Sequence, residues 1–122
     1  MADIPTLQMK IAIADGKIDA AYQWLTGNTI EAELAYKNNV IFDIPTKLKY
    51  KRNTAMAMKM ANEAVDLLHE LLGANGIYEK YQFERRFRDA HASAGHMVFS
   101  LDAQLIPFGL VSLGGEFKSP TM

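Results

Sequence analysis

Cysteine is absent from the 122 residues, which excludes disulfides and thiolate metal sites and leaves the redox compartment open. Charge of one sign is missing as well. The formal net charge is −1, so there is no electrostatic case for binding nucleic acid or an anionic membrane. No apolar run reaches the roughly 18 residues that a membrane-spanning helix needs. The opening Met1-Ala2-Asp3-Ile4-Pro5 lacks a basic segment followed by an apolar core, so no secretory signal is expected and the cytoplasm is the default location. There is no phosphate-cradling glycine loop, no nucleophile–base motif and no marked pair of catalytic carboxylates. Repeats, low-complexity tracts and alternating strand patterns are not evident either.

What is present is apolar periodicity. Hydrophobic residues make up 49% of the chain, enough for one core and one domain of this length. Asp3-Ile4-Pro5 reads as a helix start, an acid at the cap followed by proline in the first turn. From there Leu7, Ile11, Ala14, Ile18, Ala21 and Leu25 alternate spacings of four and three, the seam of a helix in a bundle. Gly16 interrupts this stretch at a cost of about 1 kcal/mol relative to alanine, a cost offset if another helix approaches there. Trp24 and Tyr22 flank the stripe as packing or interface residues. Thr26-Gly27-Asn28-Thr29 is a stop or kink signal, but helical spacing resumes at Ile30 and Leu34, so a continuous helix over about 5–36 is expected. Lys37-Asn38-Asn39 ends it, and Val40 to Ile44 is read as a packed apolar loop, since a lone strand has no partner.

A second helix, over about 46–72, opens at Pro45 or Thr46. Ala57, Ala61, Ala64, Leu68 and Leu71 form its stripe, widened by Met58, Val65 and Leu72. Its alanines allow close helix contact, and Met56, Met58 and Met60 suit an adaptable buried or intersubunit surface. His69 is read as a packed or surface histidine. Gly73-Ala74-Asn75-Gly76 supplies residues that accept a left-handed backbone and end the helix. A short third helix is expected over about 82–94 and a last one over about 100–113. The last has Ser100 as cap, Asp102 in its first turn, Pro107 as a forced start, kink or break, and Gly114-Gly115 as its stop. The pattern is all-α, an up-down four-helix bundle filling residues 1–122 as one domain.

The densest chemistry lies in Gln82 to His96. Phe83, Phe87, Ala90 and Ala94 fall on one apolar face. Glu84 with Arg88, and Arg85 with Asp89, sit four apart as bracing pairs. On spacing alone this is an ordinary surface helix. However, Arg-x-Phe-Arg-Asp-Ala-x-Ala-x-x-x-His at Arg85 to His96 resembles the signature of the C-terminal domain of acyl-CoA-dehydrogenase-like flavin monooxygenases. These are the oxygenase components of two-component hydroxylases. Residues 64–76, Phe108 to Gly114 and Ser119-Pro120-Thr121 extend the resemblance to roughly residues 5–121.

That resemblance implies the acyl-CoA dehydrogenase C-terminal fold and a parent enzyme that takes reduced flavin, FMN or FAD, from a separate flavin reductase. Such a parent forms a flavin C4a-hydroperoxide and hydroxylates an aromatic or similar small molecule. His96 is the implied catalytic residue, a hydrogen-bond donor to oxygenated flavin or substrate hydroxyl; a helix-capping histidine is the competing reading. Arg85 and Arg88 are the implied flavin-phosphate contacts, against the reading that both merely brace the helix. Ser93 is the implied substrate contact. His91 and His96 are five apart, the wrong spacing for one helix face, so no metal site is expected. The family's enzymes carry two further domains ahead of this bundle, and a bundle alone forms one wall of a site. The isolated chain is therefore expected to be inactive. Two alternatives remain: a non-catalytic module that forms a dimer or tetramer, or the C-terminal domain of an acyl-CoA dehydrogenase, for which no glutamate stands out as the base.

Overall fold

The structure, a computed structural model, describes residues 4–72, 85, 88, 89, 92 and 100–118. The described residues form three helices and no strand: α1 (Pro5–Lys37), α2 (Ile44–Leu72) and α3 (Leu101–Ser112). Arg85, Arg88, Asp89 and Ala92 also have helical backbone. The expected limits of the first, second and last helices thus agree to within two residues. The third expected helix, over 82–94, lies largely outside the described residues, as do the turn at 73–76, His91, Ser93, His96 and the tail from Ser119.

α1 starts with Ile4 at its cap position and Pro5 in its first turn, and no side chain caps it. It continues through Gly27, as the resumed spacing predicted, and spans about 50 Å at 1.5 Å per residue. It ends at Asn38, whose Nδ2 donates to the Leu34 carbonyl at 2.9 Å. Asn39 follows at φ 54, a left-handed conformation that asparagine tolerates better than most residues.

α2 runs antiparallel to α1. Lys10 meets Glu70, Lys17 meets Glu63, Asn28 meets Asn53 and Glu31 meets Tyr50, so as one number rises the other falls. The seam is made of small residues. Ala14, Ala21 and Ala35 of α1 and Ala57 and Ala64 of α2 are buried, which lets the two backbones approach closely.

The seam differs from the expected stripe. Ile11, Ile18 and Leu25 remain 54%, 47% and 46% exposed. A spacing of alternating four and three defines two adjacent rows on a helix, and only the row at Leu7, Ala14 and Ala21 faces α2. The other half of the contact comes from Lys10, Lys17 and Trp24, all half-buried. The two lysines lay their methylene stems along the seam and carry their ammonium groups out to glutamates on α2.

The link between α1 and α2 is also less packed than expected. Ile41 is 90% exposed and Val40 is exposed. Only Phe42 turns inward, its ring centroid 4.9 Å from that of Tyr50. The helix begins one residue before the expected proline because Asp43 caps it: Asp43 Oδ1 accepts the Thr46 backbone N–H at 2.9 Å. Hydrogen bonds from Thr46 hold the Asp43 carboxyl below its ordinary range. The sequence did carry this signal, since Asp-Ile-Pro-Thr occurs at residues 3–6 and again at 43–46.

α2 packs against both α1 and α3, which explains why it buries residues outside a single stripe, among them Leu48, Ala55 and the asparagines Asn53 and Asn62. α3 has Ser100 as its cap, Oγ accepting the Ala103 N–H. It passes through Pro107 without a break. Gly114 then turns the chain at φ 92, and the Gly115 N–H returns to the Leu110 carbonyl at 2.8 Å. A Cβ at residue 115 would lie 2.9 Å from the Leu110 carbonyl oxygen, which cannot rotate away as a side chain can, so this stop requires glycine for space.

Candidate functional site

Of the four residues expected to form the site, Arg85 and Arg88 can be placed. They are three apart on helical backbone, and both are exposed. Their spacing puts them on neighbouring turns of one face, so both guanidinium groups are available to an anion arriving from outside this chain. His96 and Ser93 lie outside the described residues. Asp89 is exposed on the same stretch as the arginines.

One shallow hollow is lined by Thr29, Ala32, Glu33, Tyr36 and Lys37 near the end of α1, and Tyr36 is 85% exposed there. Two arginines in solvent fit the phosphate end of a flavin nucleotide. They do not fit the ring, which needs walls that exclude water. Among the described residues no three of His, Asp and Glu converge as metal ligands, and no helix is long and apolar enough to cross a membrane.

The polar groups that do converge lie between helices, where the sequence had marked none. At the closed end of the α1–α2 hairpin, the Tyr50 hydroxyl donates to Glu31, which also takes Lys49 Nζ at 3.5 Å. The Tyr50 hydrogen bond is the main cause holding Glu31 below its ordinary value. In return, desolvation and the Glu31 carboxylate push the Tyr50 phenol up to about 12. Further along, Glu63 accepts from Lys17 of α1 and Lys59 of α2, and these lysines lower its pKa, Lys17 most.

Between these two clusters lies a chain of amides. Asn53 Nδ2 donates to Asn28 Oδ1 at 3.1 Å, and Asn28 Nδ2 donates to the Tyr50 carbonyl at 3.2 Å. Asn53 Oδ1 accepts from Arg52 Nη2 at 2.8 Å and from Nε at 3.2 Å. The Arg52 guanidinium in turn lies 4.4 Å from the Phe108 ring centroid of α3. One side-chain network therefore touches all three helices. Asn28, part of a stop signal by local sequence, is an interhelical contact. A polar residue in an otherwise apolar heptad row, as Asn28 follows Leu7, Ala14 and Ala21 at steps of seven, is the signal that could have found it.

Comparison with known proteins gives this arrangement a lineage. Residues 1–101 match the family model described as acyl-CoA dehydrogenase, C-terminal domain. The chain is 31% identical over 120 residues to the flavin-dependent monooxygenase oxygenase subunit HsaA of Rhodococcus jostii (strain RHA1), covering 97% of this chain and 30% of that protein. It is 27% identical over 122 residues to the oxygenase component of an FADH(2)-dependent resorcinol hydroxylase of Rhizobium sp. (strain MTP-10005), again covering 97% and 30%. The crystal structure of the 3-HSA hydroxylase from Rhodococcus sp. RHA1 superposes with a TM-score of 0.90 at 25% identity, over 99% of this chain and 31% of that one. The chain thus spans about 30% of the length of the curated relatives it matches. With the family model covering most of the sequence and the helices overlaying those of a solved hydroxylase, the chain belongs to the acyl-CoA dehydrogenase C-terminal domain family.

Proposed function

We propose that this chain is the C-terminal helical part of the oxygenase component of a two-component, reduced-flavin-dependent hydroxylase. The observation that carries the reading is the near-complete overlay on a hydroxylase structure, joined to matches along almost the whole chain with oxygenase components. Two of those relatives are named for resorcinol and p-hydroxyphenylacetate, which supports a phenol or similar small aromatic as substrate. A flavin reductase is the partner that supplies reduced FMN or FAD.

In this reading residues 1–122 form one helical bundle that supplies one wall of the flavin and substrate cavity. Bound reduced flavin supplies the activation of oxygen. Arg85 and Arg88 hold its phosphate end by charge-assisted hydrogen bonds. His96 holds or gives a proton at the substrate hydroxyl, and Ser93 borders the substrate. Because a helical bundle alone forms one wall of a site, the chain by itself hydroxylates nothing.

A chimera tests this. The chain replaces the matching C-terminal segment of the Rhodococcus HsaA oxygenase subunit, and product is assayed with reduced flavin and oxygen. Hydroxylation is expected, and His96→Ala should lower its rate by about 10²–10⁴, the usual worth of a positioned acid or base. A folded, flavin-binding chimera without product, or one indifferent to His96→Ala, would refute the reading.

One feature favours a second, compatible role in self-association as a dimer or tetramer. Ile4, Ile11, Ile18 and Leu25 recur every seven residues along α1 and are all about half exposed. A heptad row of that kind suits another helix laid alongside, and a second copy presents the same row. Light scattering should show an oligomer that Ile18→Glu converts to monomer. A monomer before substitution removes this role.

A further inference from the structure

The network that joins the three helices leaves one charge without a counter-charge among the described residues. Arg52 is half-buried and held on two sides, its Cζ over the Phe108 ring and its Nε–Nη2 edge on the single oxygen of Asn53. Asn53 is itself fixed by Asn28. A guanidinium has five donors, and this geometry uses the edge that contains Nε. The distal fork, formed by Nη1 and the outer N–H of Nη2, takes no described acceptor. A planar fork of that kind matches the two oxygens of a carboxylate or phosphate.

No ion pair joins Arg52 to a described carboxylate, and several of these are bound elsewhere. Glu31 holds Tyr50 and Lys49, Glu63 holds Lys17 and Lys59, Glu70 holds Lys10, and Asp43 caps α2. The local field points the same way. From Ile44 to Asn62 the sequence has five cations, Lys47, Lys49, Lys51, Arg52 and Lys59, and no acid. Lys47 and Lys51, one turn apart, have no acidic partner among the described residues. Lys47 lies in the first turn of α2, where positive charge opposes the helix dipole, and the run of like charge raises the local potential for an anion. A half-buried, oriented and uncompensated guanidinium is costly unless something pairs with it.

We propose that the distal fork of Arg52 binds an oxyanion, a carboxylate or a phosphate group, at the junction of α2 and α3. The proposal does not depend on the flavin reading. Asn53 and Phe108 position the guanidinium, and Lys47 and Lys51 raise the local potential.

The test is a titration of the 15N-labelled chain followed at the arginine Nε–H resonances. Sodium phosphate and sodium acetate are added in separate arms, with sodium chloride holding ionic strength constant. The Arg52 signal is assigned by its loss in Arg52→Lys. Saturable movement of that signal is expected, with a midpoint of its own whether or not the Arg85 and Arg88 signals also move. Saturation by phosphate alone assigns the site to phosphate groups; saturation by acetate too assigns it to acidic side chains as well. Arg52→Lys keeps the charge but not the fork, and should weaken the anion-induced shifts of neighbouring amides at least about tenfold. An Arg52 signal that fails to saturate in both arms overturns the proposal. So does an Arg52→Lys chain, folded by circular dichroism, that binds as tightly as the unsubstituted one.

Discussion

Replacing Asn53 by alanine should be among the most costly single truncations of a polar side chain in this fold. Asn53 is 8% exposed and serves both neighbours at once, donating to Asn28 and accepting twice from Arg52. The change removes one neutral hydrogen bond, worth about 1 kcal/mol, and one acceptor for a charged group, worth about 1.5–3 kcal/mol. The orphaned Asn28 oxygen and the Arg52 donors stay near the helix interface, where water replaces the lost partner poorly. The expected loss is about 2–4 kcal/mol in total. The assay is urea unfolding followed by circular dichroism, where a slope of about 1–3 kcal/mol per molar converts that loss to a midpoint lowered by on the order of 1–2 M. Asn28→Ala alone should cost less, since it removes no partner of Arg52. The two substitutions together should show a coupling energy of at least about 0.5 kcal/mol, as contacting residues do. A cost for Asn53→Ala below about 0.5 kcal/mol, the range of an ordinary surface change, would refute the network's role in joining the helices. An absent coupling would refute the Asn28–Asn53 contact specifically.

Other outcomes follow from the same packing. Ala64→Leu adds three carbons to a fully buried position in the close α1–α2 seam and should cost about 1–3 kcal/mol by overpacking, read from the urea midpoint; a neutral result would mean that the helices do not approach closely there. Gly16→Ala should instead stabilise the chain by about 0.5–1 kcal/mol, because its backbone is helical and a Cβ there meets nothing within 4 Å, and a loss would show that another surface occupies that space. The Glu63 carboxyl is lowered when folded by Lys17 and Lys59, so its contribution is present above the ordinary carboxylate pKa and is lost as pH falls through the lowered one; Glu63→Gln should flatten that acid-side loss in urea midpoints measured between pH 5 and 3, windows chosen about the ordinary value. Tyr50 is raised, so its contribution is complete below pH 10 and is lost as pH rises from there toward about 12; Tyr50→Phe should remove that alkaline slope.

The residue pattern by itself determined the helices. Period, caps and glycine stops are local, so α1, α2 and α3 appear within two residues of where spacing places them, even through Gly27 and Pro107. The family was legible as well, because it is written in residue identities along the chain. Which faces meet is a different kind of fact. The stripe at Leu7, Ile11, Ala14, Ile18, Ala21 and Leu25 contains two rows, and nothing local chooses between them. Tertiary packing chose the alanine row because small side chains let two helix backbones approach, and it left the large aliphatic row outward. The interhelical polar groups were hidden for the same reason. Asn28, Asn53, Arg52 and Phe108 are separated by up to 80 residues in sequence, and only the antiparallel register of α1 on α2, with α3 alongside, brings them into one network.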